Sequence, residues 1–99
     1  LYNYQVTTAI NGEAALTMLS RPEARFDLVI SDVVMPRLGG IALFKTLRKL
    51  NIQTPMILLT DHPMGEAIEG LHDQGLKGWL AKPPSSESLL RLVAKALKE

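Results

Sequence analysis

Apolar runs of strand length alternate with segments of helical period along this chain, the βαβα pattern of a parallel sheet covered on both faces. Tyr4-Gln5-Val6-Thr7-Thr8-Ala9 is rich in β-branched and aromatic residues and predicts a strand. Asn11-Gly12 then supplies a turn with a helix cap. The short helix that follows carries Ala14, Ala15, Met18 and Leu19 on one face and stops near Arg21-Pro22, where proline disfavours continuation. Phe26 to Ser31 is the second predicted strand. Its unbroken Leu28-Val29-Ile30 suits burial on both faces, so it is expected at the centre of the sheet.

After the turn at Met35-Pro36, Leu43, Phe44, Leu47 and Leu50 recur at helical spacing, while Lys45, Arg48 and Lys49 point elsewhere. Pro55-Met56-Ile57-Leu58-Leu59 is a third buried strand that ends at Thr60. From Gly65 to Gln74, Ala67, Ile68 and Leu71 share a face. Gly65 and Gly70 each cost about 1 kcal/mol relative to alanine, which predicts a weak, mobile helix. Gly78-Trp79-Leu80-Ala81 is a short fourth strand that ends at Lys82 before two prolines. The final helix starts near Ser85 or Ser86 and turns Leu89, Leu90, Val93 and Leu97 inward.

Composition narrows the classes without naming one. The 99 residues make a single domain with enough apolar mass for one core: 46% are hydrophobic and 21% charged. The net charge of +1 is spread among mixed signs, so no basic arm points to nucleic acid or to an anionic membrane. The absence of cysteine excludes a disulfide scaffold, a thiol nucleophile and cysteine-based metal sites. It also fits a reducing cytoplasm. No apolar run approaches the roughly 18 residues of a membrane span, and no signal-peptide layout opens the chain. His62 and His72 lack metal-ligand spacing. The four methionines form no ligand pattern and read as packing or turn residues.

The candidate chemistry lies at the strand ends. Three consecutive strands finish at Asp32, Thr60 and Lys82, and a parallel sheet brings such ends to one edge, where ligand sites of open α/β folds collect. A carboxylate there can attack a phosphoryl group to give an acyl phosphate. A hydroxyl can donate to a phosphoryl oxygen, and an ammonium can neutralise the added charge. Gly39 and Gly40 let the chain turn closely into the next helix, and a cis Lys82-Pro83 bond is within reach at modest cost.

"DVVMPRLGG", "ILLT" and "WLAKP", in that order and spacing, resemble the signature of the receiver domain of two-component response regulators, over about Tyr2 to Leu97. The resemblance implies a flavodoxin-like, doubly wound parallel sheet of strand order 2-1-3-4-5. It implies Asp32 as phosphoacceptor, Thr60 as switch hydroxyl, Lys82 as the family's site lysine and Trp79 as switch aromatic. Mg2+ would be held by Asp32 and the Val34 backbone carbonyl, with an acidic pair. The implied domain is a phosphorelay switch rather than an enzyme in its own right. Its partners are a histidine kinase or phosphotransfer domain and a downstream protein effector, with no direct contact to nucleic acid or membrane. A homodimer is compatible with this reading. The style of "VVMPRLGG" further resembles receivers attached to hybrid sensor kinases.

Two features depart from the family. Its receivers open with a strand ending in two acidic residues and a first helix, and neither is among these 99 residues. The chain is therefore expected to be an N-terminally incomplete receiver. Without that strand, the segment at Tyr4–Ala9 and the strand ending at Ser31 stand two strand spacings apart, roughly 9 to 10 Å. Asp32 and one carbonyl are also too few oxygens for Mg2+. Residues preceding Leu1 are the expected remedy; a swapped arrangement and a receiver that has lost its acidic pair are the alternatives. The second departure is Asp61, where the family has a small residue. It reads either as a helix cap or as a charge that slows access to Asp32.

Blander readings stand beside these. Asp32 alone is a turn aspartate, Thr60 an ordinary strand threonine, Lys82 a solvated lysine and Trp79 core. Order and spacing set the first three apart; Trp79 stays open between switch and core. A phosphatase of the dehalogenase type needs a second aspartate two positions past the first, and Val34 stands there. No phosphate-binding glycine loop is present. The remaining rival is a pseudo-receiver that binds proteins without phosphorylation.

Overall fold

Met56-Ile57-Leu58 is apolar on both sides of the pleat, and a strand of that kind is stable only with a layer packed on each face. The structure, a computed structural model that describes residues 4–61 and 65–98, builds those layers. The elements in chain order are α1 (Gly12–Ser20), β1 (Val29–Asp32), α2 (Gly40–Lys49), β2 (Met56–Thr60), α3 (Gly65–His72), β3 (Leu76–Ala81) and α4 (Ser86–Lys98). The three strands form a parallel sheet in the order β1-β2-β3.

The alternation of β2 divides the core. Met56 and Leu58 face Leu19 of α1, Leu43, Phe44 and Leu47 of α2, and Ile68 and Leu71 of α3. Ile57 faces Val93 and Ala96 of α4, with Leu28, Leu89 and Leu92 beside them. Three helices thus cover one face and a single described helix the other. Asn11 caps α1 by accepting from the Ala14 N–H at 2.8 Å. Ser85 does the same for α4, accepting from the Ser88 N–H at 3.0 Å.

Four expectations need correction. Tyr4–Ala9 forms no strand; it is exposed chain with no strand partner among the described residues. A strand needs a paired neighbour, and across the groove lined by Gln5–Ala9 and by β1 no backbone hydrogen bond joins the two among the described residues. β1 accordingly lies at an edge of the described sheet rather than the centre, and it runs from Val29 through Asp32 instead of starting at Phe26. Ile30 shares the α4 face with its register partner Ile57, but α4 does not reach it, and it stays 44% exposed. Leu50, expected inward, is the exposed C-cap of α2. On α4 the buried positions are Val93 and Ala96, because the helix meets the sheet slightly off the expected stripe and leaves Leu97 exposed. His62 and Met64 lie outside the described residues, as does the Ala67 side chain.

Candidate functional site

The parallel register sets the site. Asp32 pairs with Leu59 and Thr60 with Ala81, so the last residues of β1 and β2 and the residue after β3 reach the same edge. The Lys82 N–H donates to the Thr60 carbonyl at 2.8 Å, which holds the start of the β3–α4 loop against the end of β2. The Lys82–Pro83 peptide bond is cis. β1 and β3 lie on either side of β2, so roughly 9 to 10 Å separates their backbones. The long Lys82 side chain spans that distance. Its Nζ donates to Asp32 Oδ2 at 3.3 Å, a pair between residues 50 apart in sequence. Thr60 is buried between them at the end of β2.

Asp32 is 40% exposed and Lys82 35%, so the pair is open to solvent and to a partner. Val34 stands out from the loop after β1, its side chain exposed. That loop is held to the site by glycine. The Gly40 N–H donates to the Val33 carbonyl at 2.9 Å. A Cβ on Gly40 would run into the Asp32 carbonyl and stand 2.9 Å from Leu58 Cδ2, so only glycine lets α2 begin this close to the phosphoacceptor candidate. Ser31, buried beside Asp32, donates its hydroxyl to the Asp32 carbonyl at 2.9 Å.

Trp79 is half-buried and packs against the larger core cluster, on the surface between α3 and α4 where His72 also lies. Among the described residues its indole joins neither the Asp32–Lys82 pair nor any other side-chain hydrogen bond. Asp61 follows Thr60 and is exposed; the residues it would cap lie outside the described ones. Among the described residues there is no group of three or more acidic or histidine side chains that could hold a metal. Asp32 with a single carbonyl does not make the six oxygen positions that Mg2+ requires.

Sequence reasoning missed Arg48. It sits over the Phe44 ring at 4.5 Å and donates to the carbonyls of Gln74 at 3.1 Å, Ile52 at 2.7 Å and Thr54 at 3.1 Å. Burial pushes its guanidinium below the ordinary arginine value. No local signal announces this, because its acceptors belong to two other segments.

A parallel sheet with aspartate, threonine and lysine at adjacent strand ends is an α/β fold with a polar site at one sheet edge, and comparison with known proteins gives its family. The model of the response regulator receiver domain matches residues 1–94, and this chain belongs to that family. The chain is 36% identical over 97 residues to the uncharacterized transcriptional regulatory protein YkoG of Bacillus subtilis, covering 97% of the chain and 41% of that protein. It is 32% identical over 91 residues to the sensor histidine kinase RcsC of Salmonella typhi, covering 92% of the chain and 9% of that protein. Among solved structures, the receiver domain of the Francisella response regulator 1452 matches with TM-score 0.80 and 39% identity, over 93% of this chain and 74% of that one. Vibrio cholerae chemotaxis protein CheY4 matches with TM-score 0.83 and 36% identity, over 97% and 80%. The chain spans less than half the length of these curated relatives. It is a receiver domain of two-component signalling, with the flavodoxin-like fold of its neighbours. No described helix is long and apolar enough to cross a membrane.

Proposed function

We propose that Asp32 accepts a phosphoryl group from a phosphohistidine of a partner kinase or phosphotransfer domain. The observation that carries this reading is the Lys82 Nζ to Asp32 Oδ2 contact at 3.3 Å across the sheet edge, with Thr60 between the two strands. In the transfer the phosphorus–nitrogen bond breaks and a bond to an Asp32 carboxylate oxygen forms. The imidazole leaves with the electron pair. The aspartyl phosphate adds charge of about −1 to −2 at the edge. Lys82 balances that charge, and the Thr60 hydroxyl turns to donate to a phosphoryl oxygen. Movement of Thr60 opens room for Trp79 to rotate inward, and the face between α3 and α4 changes for an effector protein. Kinase activity, if the whole protein has it, belongs to another part of that protein.

Mg2+ commonly serves this chemistry in the family, but the described residues supply too few oxygens for it, and no step above passes through it. The rival reading is a pseudo-receiver that binds its partner without phosphorylation. Beryllofluoride, a phosphoryl mimic, separates the two. Trp79 is the one tryptophan among residues 1–99, and comparison with Trp79→Phe isolates its emission in the complete protein. With Mg2+ present, a saturable change in Trp79 emission of the complete protein is the expected result, and it should vanish in Thr60→Ala. No change in emission or in amide spectra would favour the pseudo-receiver.

A further inference from the structure

The loop between β1 and α2 holds two adjacent residues with side chains in the left-handed region, Arg37 at φ 59° and Leu38 at φ 117°. Residues that carry a Cβ avoid that region, and glycine is its usual occupant. Two glycines do follow, but neither serves that purpose. Gly39 takes φ −72°, which any residue adopts, and Gly40 opens α2. A Cβ on Gly39 would stand 2.7 Å from the Val33 carbonyl oxygen, and one on Gly40 would strike the Asp32 carbonyl. The loop therefore keeps its glycines for close approach to the end of β1 and leaves the reversal of the chain to an arginine and a leucine.

Such a turn persists only where its surroundings enforce it. Here α1 does so. Gly12, the first residue of α1, has no room for a Cβ because the Leu38 carbonyl occupies the place. Glu13 Oε1 lies 3.4 Å from Arg37 Nη1, and the Leu38 side chain packs against the larger core cluster. Beyond the turn, the Gly40 N–H donates to the Val33 carbonyl at 2.9 Å, and the Val33 N–H donates to the Leu59 carbonyl at 2.8 Å. A continuous line of contacts thus runs from the start of α1, through the turn, to the residue after Asp32.

We propose that Leu38 is a positioning residue for Asp32: α1 holds the Arg37–Leu38 turn in a strained left-handed conformation, and the strained turn fixes the backbone that carries the carboxylate. The strain lowers the stability of the fold and preorganises the site. The inference rests on the reading of Asp32 as phosphoacceptor.

Leu38→Ala and Leu38→Gly, compared in the complete protein by urea titration and by phosphoramidate labelling, test it as a pair. Alanine removes the packing and keeps the Cβ; glycine removes both. At an unstrained position glycine is the less stable of the two, because it gains more freedom on unfolding. The expected result here is the reverse, a higher urea midpoint for Leu38→Gly, together with labelling of Asp32 slower than in Leu38→Ala by about tenfold. A leucine with a structural role alone would make labelling follow stability. If neither variant folds, Arg37→Ala and Arg37→Gly repeat the comparison at an exposed position and should fall in the same order. A lower midpoint for the glycine variant would show an unstrained turn and overturn the inference. Equal labelling of the two variants, with the unsubstituted protein labelled, would leave the strain without a role at Asp32 and sink this inference alone. No label on the unsubstituted protein would sink the phosphoacceptor reading, and this inference with it.

Discussion

Asp32 and Lys82 face each other at 3.3 Å with more than a third of each side chain in solvent, and an ion pair so placed contributes about 0 to 1 kcal/mol to stability. Arg48 is the opposite case. Its three carbonyl acceptors tie the β3 approach at Gln74 and the α2–β2 loop at Ile52 and Thr54 to the end of α2. Removing it strands partly buried acceptors, each worth about 1 kcal/mol or more. Two substitutions should therefore diverge. Arg48→Met is expected to lower unfolding free energy by about 2 to 4 kcal/mol in urea titration. Lys82→Met should change it by less than about 1 kcal/mol while weakening the Trp79 response to beryllofluoride. A large stability loss in Lys82→Met would mean that the lysine serves the fold rather than the site. At this scale the sequence revealed the reactive candidates and concealed the structural cation. Asp32, Thr60 and Lys82 each interrupt an apolar run, which is a visible signal. Arg48 occupies the helix position of an ordinary solvated residue, and the carbonyls that make it otherwise lie up to 26 residues away.

The elements show why some boundaries were legible and others not. α2 and β2 are strongly patterned and fully covered, with Phe44, Leu47, Met56 and Leu58 all buried, and they fall close to their predicted places. β1 and Tyr4–Ala9 are patterned just as well, yet one is an edge and the other no strand at all. Propensity supplies a willingness to pair; a neighbour at about 4.8 Å supplies the pairing. The element that positions the site most tightly is the start of α2. Gly40→Ala places a methyl group against the Asp32 carbonyl, which cannot move without shifting β1. This variant is expected to cost about 2 kcal/mol or more by thermal or urea unfolding, against the usual small gain from replacing glycine within a helix. An unchanged or raised midpoint would show that the loop gives way and that the close approach at Asp32 is not required.

As a whole, the molecule is a receiver whose strand-edge site joins three segments: one contributes the phosphoacceptor candidate, the next a buried hydroxyl and the third an ammonium. A switch of this kind needs a stable sheet below and a responsive face above. Ile57 and Leu58 supply the first, and in the function proposed above the surface shared by α3, Trp79 and α4 supplies the second. The fold class was legible because strand and helix periods alternate without interruption. The meeting of Asp32 and Lys82 at one sheet edge was legible from the strand ends, while their direct contact, between residues 50 apart, is read only from the structure. The most direct test is to incubate the complete protein with a small phosphodonor such as phosphoramidate and Mg2+, and to measure its intact mass. The account predicts an increase of one phosphoryl group, labile to hydroxylamine as an acyl phosphate is, and absent from Asp32→Asn. A label that persists in Asp32→Asn, or a folded protein that takes up none, would contradict it.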